Sequence, residues 1–543
     1  MKHLNKIAAL ALAATAFTAC DDLDTEYLGG YVTAEQKQQA LEANPDMASA
    51  SVAAISSVIN QYGYVYDSHY DFGYPGVMIG LDCQTAEYAT PNIGYNHFNS
   101  WCAYSNCNNL RVPAAMAWYY IYAQIKNAND VAAAISADAE DGTLQFYRAQ
   151  AVGTRAFDYW VLAQLFQYNI TLVGEDAPCV PLITDENSEQ AALEGAPRAS
   201  LKDIYAQIIS DATEALELLD KTSVTASDVI DSKPKRMLSK ASVYGIRARA
   251  YMSMHKYAEA AADAQAAISN FAGQPASRAD VAKPTFTSLD EQNWMWGIAM
   301  AETDRPVTTG ICNFPSMSCS FAYGYTSVGA FKYASTKLYE YIPSTDVRKG
   351  WFLDENLNSN NCSSAQLKYL QSINPMPYCN VKFDTYQSVL EQDVNASDIP
   401  LMRIEEMYYI LAEAKVMSGD VAGGKQTLIS FVTTYRDPSY TVASTDAKVL
   451  QEEIFKQRAV ELWGEGLTYF DYMRLDKGVD RRGCGWDAAY TFNIPSYTQD
   501  NTAEKTKAGV LIYLIPQGEI NGNPAISDAD NNLACESPLP VTE

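Results

Sequence analysis

Residues 240–270 read KASVYGIRARAYMSMHKYAEAAADAQAAISN, and this stretch decides the fold. Apolar and small residues recur at helical spacing on both sides of a short break at His255-Lys256. The pattern predicts two helices, Met237–Met254 and Tyr257–Asn270, packed as a hairpin. Ala248, Ala260 and Ala267 are small enough to let two antiparallel helices approach closely. Tyr251 and Tyr257 are placed to fill the gap between them. A second pair, Arg403–Met417 and Val421–Tyr435, is joined by Ser418-Gly419-Asp420 and repeats the arrangement with Ala412, Gly419 and Leu428. One such hairpin cannot bury both of its faces, so neighbouring helices must stack against it.

The spacing of Ala248, Tyr251, Tyr257, Ala260 and Ala267 is that of a tetratricopeptide repeat, with His255 where the turn glycine usually stands. Further helices are expected at Pro45–Gln61, Pro113–Ser136, Leu144–Tyr168, from an N-cap at Ser200 through Leu219, and at Leu450–Trp463. Three stretches break the helical pattern: 62–110, 272–335 and 476–513. They are rich in Tyr, Gly, Asn and Trp and read as long loops with small β elements. The expected architecture is mainly α, a tetratricopeptide-like helical-repeat superhelix whose irregular excursions form a ligand-binding side.

The N-terminus predicts where the chain works. Lys2 and Lys6 precede an apolar run, Ile7–Phe17, followed by Thr18-Ala19-Cys20. That run is shorter than the roughly 20 residues that cross a bilayer. Phe17-Thr18-Ala19-Cys20 resembles a bacterial lipobox, with Phe17 where Leu is favoured. Residues 1–19 are therefore expected to be a lipoprotein signal peptide, and 20–543 the mature chain with a lipidated Cys20. Acyl chains on Cys20 would be the membrane anchor, each buried CH2 adding roughly 0.8 kcal/mol. Asp21-Asp22-Leu23-Asp24 resembles the surface-export signal of Bacteroidetes lipoproteins.

The chain carries 39 Lys+Arg against 65 Asp+Glu, a net charge of −26, and loss of Lys2 and Lys6 takes it to −28. Such a surface repels polyanions, so nucleic acid is not an expected partner. Beyond Cys20 there are ten Cys. Cys102 with Cys107, and Cys312 with Cys319, are close enough in sequence for disulfides, with free buried thiols as the alternative. No CxxC pair exists and only His69, His97 and His255 remain in the mature chain, so neither a metal site nor a cofactor is expected.

Six segments, in order, resemble the SusD/RagB family. Arg155-Ala156, Tyr159-Trp160, Leu162 and Leu165-Phe166 resemble its RAxxYFxLxxLFG helix. Ile208, Asp211, Ala215 and Leu219 resemble IxxDLxxAxxxLP, and Lys240–Tyr251 resembles AAxALLARVYL. Arg403, Glu406 and Ala412-Glu413-Ala414 resemble LRxAEvyLxyAEA. Arg458, Glu461-Leu462, Glu465-Gly466, Asp471 and Arg474 resemble ERxxELxxEGxRxxDLxR, with Leu467 and Thr468 in place of His and Arg. Leu514-Ile515-Pro516, Glu519-Ile520 and Asn523-Pro524 resemble PIPxxEixxNP. The resemblance implies an outer-membrane, cell-surface lipoprotein that binds a nutrient, typically a glycan, and delivers it to a SusC-like TonB-dependent transporter. The charged residues of these segments are read as braces: Arg458 to Glu461 is i,i+3 and Glu461 to Glu465 is i,i+4, so they would share a helix face.

A binder of neutral sugars needs exposed rings, because the apolar face of a pyranose stacks on Trp or Tyr while amides reach its hydroxyls. Tyr95-Asn96-His97-Phe98-Asn99-Ser100-Trp101 offers both kinds of group. The expected ligand-binding residues are Trp101, Asn99, Tyr95, Tyr323, Tyr325 and Trp296, with Trp294, Arg111 and Asp71 as weaker candidates. No GxSxG, HExxH, phosphate loop or dinucleotide fingerprint is present, so no enzyme is expected and no catalytic residues are assigned. Alternative readings are a binder of peptides or another nutrient on the same transporter, a glycoside hydrolase using two of the 65 acids, and a protein-only helical-repeat scaffold.

Overall fold

A computed structural model describes residues 39–542 except 42, 106, 107, 109 and 111; the expected signal peptide, Cys20, Cys107 and Arg111 lie outside the described residues. The principal helices are α1 (Ser49–Val58), α2 (Tyr74–Asp82), α3 (Val112–Ala134), α4 (Gly142–Phe166), α5 (Leu201–Lys221), α6 (Lys240–Ser253), α7 (Tyr257–Asn270), α8 (Ile404–Met417), α9 (Val421–Tyr435), α10 (Ala447–Glu461) and α11 (Thr468–Arg474). The strands are β1 (Tyr88–Ala89), β2 (Pro178–Pro181), β3 (Arg198–Ser200), β4 (Trp294–Ile298), β5 (Tyr333–Ala334), β6 (Ile399–Arg403), β7 (Val479–Asp480) and β8 (Asn493–Ile494). They form two-stranded antiparallel sheets in the pairs β1–β5, β2–β3, β4–β6 and β7–β8.

The helices stack in succession: α3 on α4, α4 on α5, α5 on α6, α6 on α7, α7 on α8, and α8 on α9 and α10. This is the tetratricopeptide-like superhelix expected from residues 240–270. Ala248, Ala260 and Ala267 are fully buried at the α6/α7 contact, with Tyr251 and Tyr257 half-buried beside it. His255 adopts the left-handed φ of 55° that the repeat usually gives to glycine. Its Nε2 lies 2.7 Å from the Arg474 carbonyl and 3.2 Å from Asn169 Nδ2, contacts that hold the residue in that conformation. In the second hairpin a Cβ on Gly424 would fall 2.5 Å from the Ala412 carbonyl, so α8 and α9 touch backbone to backbone there.

Local chemistry sets the helix ends. Ser200 Oγ accepts the Asp203 N–H at 3.1 Å, and Asp141 Oδ1 accepts those of Thr143 and Leu144 at 2.8 and 3.0 Å. From Leu144 to Phe166 every residue of α4 is buried, so this helix is the axis about which α3, α5 and α6 pack.

The charged residues of the family-like segments brace this stack. Arg155 donates to both oxygens of Asp211 at 2.8 and 2.7 Å, to Asp185 at 2.6 Å and to Asn129 at 2.7 Å. Arg249 grips Glu406 at 2.9 and 2.6 Å, and Arg474 grips Glu413 with two bonds of 2.6 Å. Arg458 and Arg474 share Asp471 at 2.9 and 2.8 Å. The expected shared face of Arg458, Glu461 and Glu465 is not what forms. Helix α10 ends at Glu461, and Gly464 and Gly466 take positive φ of 78° and 71°, which turns Glu465 toward Arg403 and Lys382.

Of the two readings for Cys312 and Cys319, disulfide or free thiols, the structure has free thiols. The helical turn Phe314–Ser318 separates the two; Cys319 Sγ donates to the Phe383 carbonyl at 3.3 Å, and Cys312 hydrogen-bonds Tyr62.

Candidate ligand-binding site

Strand β1 begins what becomes the site. Pairing Tyr88 with Ala334 and Ala89 with Tyr333 lays the chain that follows β1 beside the chain that precedes β5. Residues 90–101 and 320–332 are thereby neighbours, although far apart in sequence. Lys332 Nζ donates to Thr90 Oγ1 at 3.2 Å across the join.

Each loop is shaped by buried amides and hydroxyls. Asn96, buried, donates to the Pro91 carbonyl at 3.1 Å and accepts the Phe98 N–H at 3.2 Å, which folds the tip carrying Tyr95 and His97. In the second loop Thr326 Oγ1 donates to the Cys319 carbonyl at 2.7 Å, and the Tyr323 N–H donates to the Gln392 carbonyl at 3.1 Å. A Cβ on Gly324 would meet Ser316 Oγ at 2.1 Å, so only glycine lets this turn close. The third excursion braces the first: the Tyr490 hydroxyl lies 2.6 Å from Asn99 Oδ1 and 2.9 Å from Asn92 Oδ1.

The result is an aromatic patch. Tyr95 and Tyr323 are 57% and 55% exposed, while Tyr325 is buried. Tyr95 and Tyr325 have ring centroids 6.4 Å apart. His97 meets Tyr325 edge-on at 4.5 Å and stacks on His69 at 4.7 Å, and the Tyr325 hydroxyl hydrogen-bonds His69 Nδ1. Burial, then the neighbouring His69 and Lys332, pulls His97 down to about 4, so it is neutral at physiological pH. Burial, with Cys312, Tyr62 and Tyr95 nearby, pushes Tyr325 up to about 12 and keeps its hydroxyl protonated. Among the described residues no group of three or more His, Cys, Asp or Glu is placed to hold a metal ion.

Of the six residues expected from sequence, Tyr95 and Tyr325 are in ring contact, Tyr323 is exposed on the neighbouring loop, and Asn99 accepts from the Tyr490 hydroxyl. Trp101 and Trp296 do not meet the requirement for an exposed ring. Trp101 is fully buried against Phe98 and Tyr70, at 5.2 and 5.7 Å, with Gly80 across its face. Trp296 is buried on β4, edge-on to Phe157 at 5.0 Å, and lines a separate cavity. Trp294 is wholly buried. Asp71, also buried, organises the loop from inside: Oδ2 accepts the Val65 N–H at 2.9 Å and Oδ1 accepts the Tyr120 hydroxyl at 2.6 Å. No local sequence signal marks the stacked pair His69–His97: 28 positions separate them, and only the fold puts them face to face.

A helical-repeat scaffold carrying an uncharged aromatic face on its loops is the class of protein that fold and patch define. The chain belongs to the SusD/RagB family. A model described as the SusD family matches residues 322–532, and one described as starch-binding associating with outer membrane matches residues 40–252. Among solved structures, a SusD-like carbohydrate binding protein from Bacteroides vulgatus is 20% identical, with a TM-score of 0.68 over 89% of this chain and 98% of that one. A SusD superfamily protein from the same species is 17% identical with a TM-score of 0.71 over 90% and 99%. The surface glycan-binding protein A of Bacteroides uniformis is 17% identical with a TM-score of 0.58 over 90% and 99%. No curated protein sequence gives a significant match.

Proposed function

We propose that the protein is a cell-surface lipoprotein of the outer membrane that captures an oligosaccharide on the Tyr95–Tyr323 face and hands it, unaltered, to a SusC-like TonB-dependent transporter. The observation that carries the reading is a pair of exposed tyrosine rings on two adjacent loops, Tyr95 backed by Tyr325 and the His69–His97 stack and Tyr323 held by its backbone bonds to Gln392 and Asn395. Flat exposed rings offer a pyranose its stacking surface. The names of the structural neighbours, which include a carbohydrate-binding and a glycan-binding protein, support the ligand class. The lipobox-like Phe17–Cys20 supports anchoring through Cys20, and the family supports the transporter as partner.

Isothermal titration of the mature protein against panels of oligosaccharides and peptides tests the ligand. Glycan binding that the Tyr95→Ala/Tyr323→Ala double variant abolishes is expected; peptide binding alone would replace the reading with the nutrient-peptide one. Shortened products released from a bound glycan would show an enzyme instead. Fatty-acid labelling of the wild type but not of Cys20→Ser, and co-purification with a TonB-dependent transporter from solubilised membranes, test anchor and partner.

A further inference from the structure

We propose that a second site, a cavity of about 710 Å3 bounded by α1, α4, β4 and residues 229–238 and 299–306, takes an acidic sugar unit bearing a carboxylate or a sulfate. The proposal rests on the reading of the protein as a glycan binder and adds a ligand chemistry to it. The cavity wall carries Arg236, Arg305 and Lys233 against a single acid, Asp304, in a chain whose net charge is −26. The local sign is the reverse of the whole, and within a Debye length of about 10 Å the local charge governs a bound ion.

The two arginines are uncommitted. Most arginines of this fold are buried in ion pairs, as Arg155, Arg249, Arg403, Arg436 and Arg474 are. Among the described residues the Arg236 and Arg305 guanidiniums make no ion pair and no side-chain hydrogen bond. Arg236 is half-exposed and Arg305 is exposed, lying over the Tyr62 ring at 5.6 Å. Lys233 is spoken for, donating to Asp398 at 2.7 Å and to the Met300 carbonyl at 2.6 Å. A guanidinium presents paired N–H donors that match a carboxylate or sulfate.

Gln124, buried on α3, also lines the cavity, with its Nε2 committed to the Ile55 carbonyl at 2.8 Å. Tyr62, whose ring Arg305 overlies, lines the cavity and lies near Tyr325 of the aromatic patch.

The test is titration of the mature protein with three oligosaccharides of equal length: a galacturonic acid oligomer, a sulfated neutral oligomer and the neutral oligomer itself. The expected result is affinity at least tenfold higher for one or both acidic probes than for the neutral one, with the carboxylate and sulfate arms naming the group. The Arg236→Gln/Arg305→Gln variant, its fold checked by circular dichroism melting, is expected to bring the acidic affinity down to the neutral value. Equal affinities for all three probes, or an acidic preference untouched by that variant, would overturn the second site while leaving glycan binding in place. Binding of none of the three, together with failure of the broader panel, would instead sink the glycan reading and this proposal with it.

Discussion

Arg436 and Glu461 form a two-point ion pair in the interior, Nε to Oε2 at 2.7 Å and a terminal nitrogen to Oε1 at 2.8 Å, with neither side chain exposed. Glu461 also receives Arg348 at 3.1 Å and Arg403 at 3.3 Å, so three guanidiniums converge on one carboxylate. Arg436 in turn bonds the Ala276 carbonyl, which fastens the end of α9 to the segment after α7. Removing one partner of such a group leaves buried charge uncompensated, at a cost of about 3–5 kcal/mol. Arg436→Leu is expected to lower unfolding free energy by that amount in guanidinium titration. Despite burial, the arginines hold the Glu461 carboxyl well below the usual carboxylate range. A depressed carboxylate stabilises the fold above its unfolded value of about 4.5 and loses that contribution as pH falls. The variant should therefore lose less stability on acidification below pH 4.5 than the wild type does.

Gly80 lies under Trp101. A Cβ there would stand 2.3–2.6 Å from the indole ring, which is fully buried. Alanine favours a helix over glycine by about 1 kcal/mol, and Gly80 is inside α2. Overpacking of a filled core costs about 1–3 kcal/mol, and here the ring has Phe98 and Tyr70 behind it. The clash outweighs the propensity. Gly80→Ala is expected to lower the melting temperature and to alter the near-ultraviolet circular dichroism of tryptophan; an unchanged spectrum and a raised melting temperature would show that the ring has room.

Helices are legible in this sequence because their apolar spacing is a local property. Helices α7 and α9 run over the residues that the periodicity marks, Tyr257–Asn270 and Val421–Tyr435. The end of α10 is not local: Glu461 stops the helix because Gly464 and Gly466 turn the chain toward Arg403. The same divide runs through the site. Tyr95 and Trp101 stand six residues apart in one loop and are chemically alike as stacking rings, yet one is exposed and the other buried. That choice is made by the β1–β5 pairing and by Gly80, neither of which leaves a signal near Trp101. The braces were legible as a class but not as pairs. Arg458 bonds Asp471 and Glu461 bonds Arg436, so the ion pairs tie elements together rather than running along one helix.

Tyr95 and Tyr323 separate ligand binding from folding. Both rings are more than half exposed, so their truncation leaves little cavity, and changes at exposed positions usually stay within about 0.5 kcal/mol. A stacked ring is worth about 0.5–1.5 kcal/mol beyond the area it covers. Tyr95→Ala and Tyr323→Ala are each expected to weaken oligosaccharide binding about three- to tenfold at an unchanged melting temperature. Tyr325→Ala differs, because that ring is buried and holds His69 and His97: affinity and stability should fall together. Calorimetry and thermal melts on the same preparations distinguish the two patterns.

His97 makes the patch sensitive to acid. Its folded-state value is about 4, against 6.5 for the free side chain, because burial, and then the neighbouring His69 and Lys332, disfavour a positive charge on the ring. Between those two values the unfolded chain binds a proton that the folded chain refuses. The contribution of His97 is therefore complete above pH 6.5 and is lost as pH falls toward 4. Solvent reaches the ring, so the effect is smaller than full linkage would give, about 1–2 kcal/mol. His97→Gln keeps a planar polar group without the titration. Its unfolding free energy should fall less steeply than the wild type's between pH 6.5 and 4, and oligosaccharide affinity should lose its decline over the same interval. Parallel stability curves for the two proteins would remove His97 as the cause and return the acid sensitivity to the buried carboxylates around Glu461.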